Sequence, residues 1–160
     1  FIATDFNSEN RREYIELGFD AIHNIDYINI YHIAPKWKKA LLTFGRKYLR
    51  IPMVYSYKKA IKYMIHPTCS ERDVIPVIVP NWDHTPRSSF KGTVLTNSRP
   101  GYFKQLAKEA LLTVKDKPEE ERIVFLKSWN EWGEGNYMEP DYKYGNGYIK
   151  ALSEAINEIN

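Results

Sequence analysis

The chain has 160 residues, of which 43% are hydrophobic and 14% aromatic, which suits one domain with a sizeable core and argues against disorder. Its 23 basic and 20 acidic residues interleave and leave a formal net charge of +3, whereas nucleic-acid-binding proteins concentrate Lys and Arg in a stripe. Cys69 is the sole cysteine, so no intrachain disulfide can form, and no apolar stretch could span a membrane. We therefore expect a single domain over residues 1–160, cytoplasmic, with no nucleic-acid partner and no stable membrane insertion.

In the first half of the chain, short apolar runs alternate with amphipathic stretches, which is typical of βα units. The predicted elements are a strand at residues 1–3, a helix at residues 8–17 capped by Ser8, a strand at residues 19–25, a helix from Pro35 to about Arg50, and a strand with a Lys-rich helical turn within residues 53–65. In the Pro35 helix, the apolar side chains recur at helical spacing and predict a stripe that packs against a sheet. These are Trp37, Leu41, Phe44 and Tyr48.

The second half repeats the alternation. The predicted elements are a strand at residues 74–79, a helix that begins at Pro100, an exposed loop at residues 115–120, a strand at residues 123–126 and a last helix at residues 147–159. Pro76 removes one donor from its strand, which indicates a bulge or an early position. The apolar positions of the Pro100 helix are Phe103, Leu106, Ala107, Ala110, Leu111 and Val114. Those of the last helix are Ile149, Leu152, Ile156 and Ile159.

These elements predict an α/β fold with about four βα units and a mainly parallel sheet. A complete eight-unit barrel needs about 250 residues, and a half barrel would leave two open sheet edges. The chain also begins at Phe1 rather than at a methionine. We therefore expect residues 1–160 to be a fragment of a larger (β/α)8 catalytic domain.

The segment that follows the strand at residues 123–126 has the side chains that sugar chemistry needs. Glu131 and Glu134 are candidate catalytic carboxylates for proton transfer. Trp129 and Trp132 offer indole faces to the apolar side of a sugar ring, and Asn130 offers an amide to its hydroxyls. The alternative is structural, since Ser128 and Glu131 also fit the Ser-x-x-Glu capping box at a helix start.

A second polar segment follows the strand at residues 74–79. Trp82 is a candidate sugar platform, and Asp83 and His84 are candidate hydrogen-bonding partners of a substrate. The alternative here is a turn initiated by Asp83 and closed by Pro86, with Arg87 as a surface charge. Glu139 could line the same pocket or end a loop.

Metal and cofactor sites have no support in the pattern. The four histidines lie on separate segments without metal-ligand spacing, and no glycine-rich phosphate loop is present. We expect neither a metal nor a cofactor.

Two motifs occur in this order along the chain. They are Pro80-Asn81-Trp82-Asp83-His84-Thr85-Pro86-Arg87, and Trp129-Asn130-Glu131-Trp132-Gly133-Glu134-Gly135 with Tyr137-Met138-Glu139-Pro140-Asp141 and Gly147-Tyr148 after it. Over roughly residues 15–155 they resemble the WbsX family, which is named as glycosyltransferases of bacterial surface-polysaccharide loci and is similar to glycoside hydrolase family 99. His84 stands where the family usually has Asn.

The resemblance implies the C-terminal half of a (β/α)8 TIM-type barrel. It also implies that Glu131 acts as a base on the 2-hydroxyl of the substrate, forming an anhydrosugar, and that Glu134 acts first as general acid and then as base. This differs from the common mechanisms, in which a carboxylate attacks the anomeric carbon or activates water.

The leading hypothesis is therefore a glycosyltransferase or glycoside hydrolase that acts on an oligosaccharide or glycan, with a mannose-like sugar of a bacterial surface polysaccharide as substrate. An alternative is a non-catalytic glycan-binding half barrel that keeps the aromatic pocket. A weaker alternative, a basic nucleic-acid-binding domain, predicts affinity that falls steeply with salt.

Overall fold

Parallel strands lie at the centre of the protein, which a computed structural model describes over residues 1–5, 10–24 and 34–159. The strands are β1 (Ile2–Asp5), β2 (Ala21–Asn24), β3 (Met53–Ser56), β4 (Val74–Ile75), β5 (Val77–Ile78), β6 (Trp82–Asp83), β7 (Thr93–Thr96), β8 (Phe125–Leu126), β9 (Asn130–Glu131) and β10 (Asn136–Tyr137). The α-helices are α1 (Arg11–Glu16), α2 (Lys36–Tyr48), α3 (Tyr57–Ala60), α4 (Thr85–Ser88), α5 (Pro100–Val114) and α6 (Gly147–Asn157). Short 3-10 turns lie at Ile61–Tyr63, Pro67–Ser70, Ser89–Lys91, Glu119–Glu121 and Trp132–Glu134.

Most strand pairs are parallel. One sheet has the order β1-β2-β4 and is parallel throughout, and β5 pairs in parallel with β8. A further sheet has the order β3-β7-β6, in which β3 and β7 are parallel and β6 runs antiparallel to β7. The predicted mixed α/β fold with a mainly parallel sheet is thus confirmed. The described strands do not close into a barrel, and the half-barrel assignment stays a prediction.

Pro76 explains why one continuous β-branched run forms two short ladders. A proline has no backbone N–H to donate, so the ladder breaks at that residue. On its N-terminal side, β4 pairs with β2, and on its C-terminal side, β5 pairs with β8. The Pro76 carbonyl still accepts a hydrogen bond from the Phe125 amide at 2.9 Å. The run therefore joins the two parallel ladders, and the carboxyl ends of β5 and β8 lie side by side.

Helices α5 and α6 pack against each other beside the sheet. Phe103 of α5 meets Tyr148 of α6 edge to face, with ring centroids 5.8 Å apart, and both side chains are buried. The α5 prediction is confirmed in its bounds and in its buried face. The predicted face of α6 is right in part: Ile149 and Leu152 pack against the core, but Ile156 is 39% exposed and the fully buried positions are Tyr148, Ala151 and Ala155. Small side chains let two helices approach closely, so the contact selects the alanines over the larger isoleucines.

Helix α2 forms where predicted, but its packing differs from the prediction. The apolar stripe is exposed rather than buried against a sheet, with Trp37 at 69%, Leu41 at 62%, Phe44 at 53% and Tyr48 at 62%. Helical spacing shows that a helix is amphipathic and does not show what covers its apolar face. The predicted Ser8 cap lies outside the described residues.

The segment before β8 is more firmly held than the predicted exposed loop. Lys117 is buried, and its ammonium donates a hydrogen bond to the Val74 carbonyl at 2.6 Å. Burial lowers the pKa of Lys117. Within residues 1–5, 10–24 and 34–159, no helix is long and apolar enough to cross a bilayer.

Candidate active site

Two asparagines join the segment after β5 to the hairpin formed by β9 and β10. The side-chain oxygen of Asn81 accepts a hydrogen bond from the Tyr137 amide at 2.8 Å, and its Nδ2 donates to the Tyr137 carbonyl at 3.2 Å. Asn136 is fully buried, and its Nδ2 donates to the Asn81 carbonyl at 2.7 Å. These hydrogen bonds between distant segments favour one arrangement of the chain, although the buried Oδ1 of Asn136 has no partner among the described residues. The two polar segments therefore lie against each other.

Gly135 marks the closest approach of these segments. Its φ is +51°, and a Cβ at this position would lie 2.9 Å from the Cβ of Asp83 and 3.0 Å from its backbone nitrogen. A glycine meets both requirements, since it tolerates positive φ and has no side chain. The 3-10 turn before it directs Glu134 toward the segment that carries Asp83.

Arg87 links the two candidate catalytic carboxylates. Its Nη2 lies 3.0 Å from Oε1 of Glu131, and its Nη1 lies 2.8 Å from Oε1 of Glu134. We refer to Glu131, Arg87 and Glu134 as the Glu-Arg-Glu cluster. The guanidinium has donors in a rigid fork, so one Arg87 holds both carboxylate oxygens within its own span. Both carboxylates therefore contact the same guanidinium, and their catalytic roles stay a prediction.

The two carboxylates have different surroundings. The Glu134 side chain is 15% exposed and the Glu131 side chain is 41% exposed. His84 lies beside the more buried one, with its Nε2 3.5 Å from Oε1 of Glu134. The two carboxylates therefore differ in exposure and in their neighbours.

Aromatic rings flank the Glu-Arg-Glu cluster. Trp132 stacks on Tyr137 with ring centroids 3.7 Å apart and an interplanar angle of 12°. Its indole Nε1 donates to Oε2 of Glu139 at 2.6 Å, which fixes the ring in its plane. Trp132 is 47% exposed and Trp129 is 51% exposed. Both indoles are thus about half exposed, and Trp132 is held in place by its stack and its hydrogen bond.

A family model for glycosyltransferase WbsX matches residues 1–152 of the chain. The chain belongs to the WbsX glycosyltransferase family. The resemblance seen in the two motifs is therefore confirmed over nearly the whole length. This WbsX chain carries both motifs at one edge of its parallel strands.

Two curated relatives come from Xanthomonas campestris pv. campestris, strains B100 and ATCC 33913, and each is named "Uncharacterized protein WxcX". Each is 29% identical to this chain over 104 residues, which is 64% of the chain. The chain spans about 15% of the length of these relatives.

The remaining predicted site residues of the WbsX chain lie around the cluster. Asn130 is exposed on β9, where it pairs with Tyr137 of β10. Asp83 accepts hydrogen bonds from the amide and hydroxyl of Thr85 at 2.9 and 2.6 Å, so the predicted Asp-initiated turn is present. Trp82 is 5% exposed, with the ammonium of Lys127 over its ring at 5.3 Å. Substrate roles for these residues stay predictions.

Ser128 satisfies part of the capping alternative. Its hydroxyl accepts a hydrogen bond from the Glu131 amide at 3.1 Å and donates to the Asn136 carbonyl at 3.1 Å. The chain continues as β9 rather than as an α-helix. Only the Glu131 backbone takes part in this capping contact. Its carboxylate points to Arg87 and is not used as a cap.

Three features of the site were not identified from the sequence: Arg87, Tyr137 and the pair of asparagines. Arg87 was interpreted as a surface charge, and its side chain is 54% exposed, but it ends the first motif and faces two acids. The sequence did contain one signal: Arg87 is a basic residue in the first motif, and the second motif carries two acidic residues. Asn81 and Asn136 had no signal of this kind, because their role depends on contacts between distant segments.

We expect Arg87→Ala to lower kcat/KM about tenfold, since loss of charge-assisted hydrogen bonds at a half-exposed site removes about 1.4 kcal/mol. Millimolar guanidinium should restore part of the rate, because the small cation can take the place of the missing side chain. The measurement is steady-state hydrolysis of a mannosyl fluoride with and without guanidinium. Arg72→Ala is the control, since Arg72 pairs with Glu121 on the exposed surface. An unchanged kcat/KM in Arg87→Ala would show that Arg87 has no role in turnover.

Proposed function

We propose that this chain carries the catalytic groups of an enzyme that transfers or hydrolyses glycosyl units. The observation that supports it most directly is the Glu-Arg-Glu cluster, in which two carboxylates meet one guanidinium beside two accessible indoles. An enzyme that acts on glycosides uses positioned carboxyl groups to transfer protons and aromatic rings to bind the sugar by stacking. Membership of the WbsX glycosyltransferase family supports a carbohydrate-active role.

In this proposal, Glu131 removes the proton of the sugar 2-hydroxyl while the 2-oxygen attacks the anomeric carbon. Glu134 protonates the departing oxygen, and a 1,2-anhydrosugar forms. Glu134 then takes a proton from the incoming hydroxyl or water as it attacks the anomeric carbon, the bond from that carbon to the 2-oxygen breaks, and Glu131 returns its proton to the 2-oxygen. The roles follow from similarity to glycoside hydrolase family 99, and the lower exposure of Glu134 and its neighbour His84 support giving it the two proton transfers with the outer groups.

We further propose that the scaffold is the C-terminal half of a (β/α)8 barrel. Active sites of such barrels lie in the loops after the carboxyl ends of the strands. Here the two motifs follow β5 and β8, which are parallel neighbours. That placement supports the assignment.

The proposed substrate is a mannose-like sugar of a bacterial surface polysaccharide, such as an O-antigen of lipopolysaccharide. The family name supports a glycan substrate and a transfer reaction. Transfer and hydrolysis share the same first step, and the acceptor that opens the anhydrosugar decides between them.

A non-catalytic glycan-binding domain is the second candidate function. The stack of Trp132 on Tyr137 favours it, because a rigid aromatic face binds sugars without any need for the carboxylates. Both functions predict that the sugar contacts these aromatic rings, but only the enzyme predicts turnover.

To test them, binding of a mannose oligosaccharide and release of fluoride from a mannosyl fluoride are measured on the full-length protein that contains this chain, because the proposed barrel needs its other half. We expect turnover in the unmodified enzyme and a KM about tenfold higher in Trp132→Ala, which corresponds to loss of about 1.4 kcal/mol of stacking. Trp37→Ala is the matched control, because Trp37 is an exposed tryptophan on α2. Saturable binding without turnover in the unmodified protein would favour the binding domain and overturn the enzyme.

A further inference from the structure

A cleft of about 330 Å³ lies beside the candidate active site at the edge of β8. Its described lining residues are His23, Val77, Val124, Phe125, Leu126, Lys127 and Ser128, and we refer to them as the β8 cleft. The chain passes from the cleft straight into the site, since Ser128 precedes Trp129. A ligand that extends from the indoles along this edge would enter the cleft.

Strand register explains why polar side chains of separate strands meet here. Paired residues of parallel strands point to the same side of the sheet. Thr4 pairs with His23 across β1 and β2, and Val77 pairs with Phe125 across β5 and β8. The His23 ring also contacts the Phe125 ring, with centroids 5.4 Å apart. The imidazole thus packs against the apolar Phe125 ring near the strand ends.

The β8 cleft is basic where the Glu-Arg-Glu cluster is acidic. Among its described lining residues there is one lysine and one histidine and no acidic side chain. In the part of the chain that the structure describes, the Lys127 ammonium forms no ion pair and lies over the Trp82 ring. Its charge is therefore available to a ligand.

One ring nitrogen of His23 has no hydrogen-bond partner among the residues that the structure describes. Its Nε2 lies 2.8 Å from the Thr4 hydroxyl, while its buried Nδ1 has no partner among the described residues. Burial, with Lys127 adding to it, lowers the pKa of His23. When Thr4 donates to Nε2, the neutral imidazole carries its proton on Nδ1 and can donate it. A buried polar atom without a partner costs free energy, which a ligand that accepts from it would recover.

We propose that the β8 cleft binds an oxyanion of the substrate, a phosphate or a carboxylate group, through Lys127 and His23. This deepens the proposed function, because it assigns an acidic substrate to the same active site. The cation in the cleft attracts the anionic group, and the carboxylates of Glu131 and Glu134 repel it. The two fields together orient the substrate, with its anion on the Lys127 side of Ser128 and its sugar ring toward the indoles.

The oxyanion could belong to a phosphorylated sugar donor or to a uronic acid residue of an acidic glycan. Mannose 1-phosphate and methyl glucuronide represent these two sources, and methyl mannoside is the neutral probe. Each is titrated into the intact protein while NMR follows the imidazole signals of His23. We expect a saturable shift with at least one anionic probe and none with the neutral probe at the same concentrations. The probe with the higher affinity identifies the source.

Lys127→Met keeps an unbranched chain over Trp82 and removes the charge, so we expect at least a tenfold loss of anion affinity. Lys143→Met is the matched control, because the Lys143 ammonium also lies over an aromatic ring, that of Tyr144, outside the cleft. Equal affinity in Lys127→Met and the unmodified protein would overturn the proposal, as would an equal loss in Lys143→Met. If Lys127→Met does not fold, the unmodified protein decides, and the absence of a saturable shift with both anionic probes overturns the proposal.

Binding and turnover separate this proposal from the proposed function. Glu134→Gln should keep the anion-dependent shift of His23 while losing turnover. A shift in a protein whose turnover does not depend on Glu134 would retain the anion site and reject the catalytic assignment. Turnover that depends on Glu134 without any anion-dependent shift would do the reverse.

Discussion

Glu134→Gln is expected to lower kcat about a hundred- to ten-thousand-fold, the usual contribution of a positioned general acid or base. The amide has the shape of the carboxyl group, and its oxygen can still accept the hydrogen bond that Arg87 gives to Glu134. It can neither give a proton to the leaving oxygen nor take one from the acceptor. The substitution therefore removes chemistry and leaves the arrangement of the site in place.

The dependence on leaving group makes this result specific. Fluoride departs with little need of protonation, whereas an alkyl oxygen needs a proton, so the loss should be smaller on a mannosyl fluoride than on a methyl mannoside. Initial rates on both substrates provide the measurement. Glu154→Gln on α6 is the control, because it makes the same chemical change at an exposed carboxylate that pairs with Lys104. Unchanged turnover of both substrates by Glu134→Gln would reject Glu134 as a catalytic residue.

Local patterns in the sequence were sufficient for the elements whose packing is also local. In α5 the apolar side chains recur every three or four residues and the helix begins at a proline, so its bounds and its buried face were both predictable. The β-branched run around Pro76 likewise predicted a buried strand with a defect at the proline. Within the site, Glu131 and Glu134 are only three residues apart, which allowed them to face one pocket if the chain turned between them.

Features that depend on partners from distant segments could not be predicted in this way. Strand β7 is short and partly polar, and it is held by parallel pairing with β3 and antiparallel pairing with β6. The predicted burial of the α2 stripe was wrong, and the predicted face of α6 was right only in part, since periodicity describes a helix and not its neighbour. Arg87 is a further case, because its importance follows from the two acids that it reaches and not from its own surroundings in the chain.

The contact that brings the two motifs together is also the part of the site most sensitive to a single methyl group. Asn81 and Asn136 supply hydrogen bonds between the segments, and Gly135 permits the distance at which those bonds form. The catalytic proposal therefore depends on a residue that has no chemistry of its own. If a methyl group added at Gly135 pushes the two segments apart, Glu134 moves away from Arg87.

We expect Gly135→Ala to lower the free energy of unfolding by about 3 kcal/mol, from roughly 1 kcal/mol of left-handed backbone strain and about 2 kcal/mol of overpacking. The new Cβ would meet backbone and Cβ atoms of Asp83, which cannot move aside as the end of a flexible side chain could. Gly145→Ala is the matched control, because its φ is +52° and nothing lies within 4 Å of its Cβ, so only the strain of about 1 kcal/mol applies. Urea denaturation followed by circular dichroism measures both variants, and fluoride release shows whether the surviving folded protein keeps its activity. Equal losses of stability in the two variants would mean that the close approach of Gly135 to Asp83 does not hold the site together.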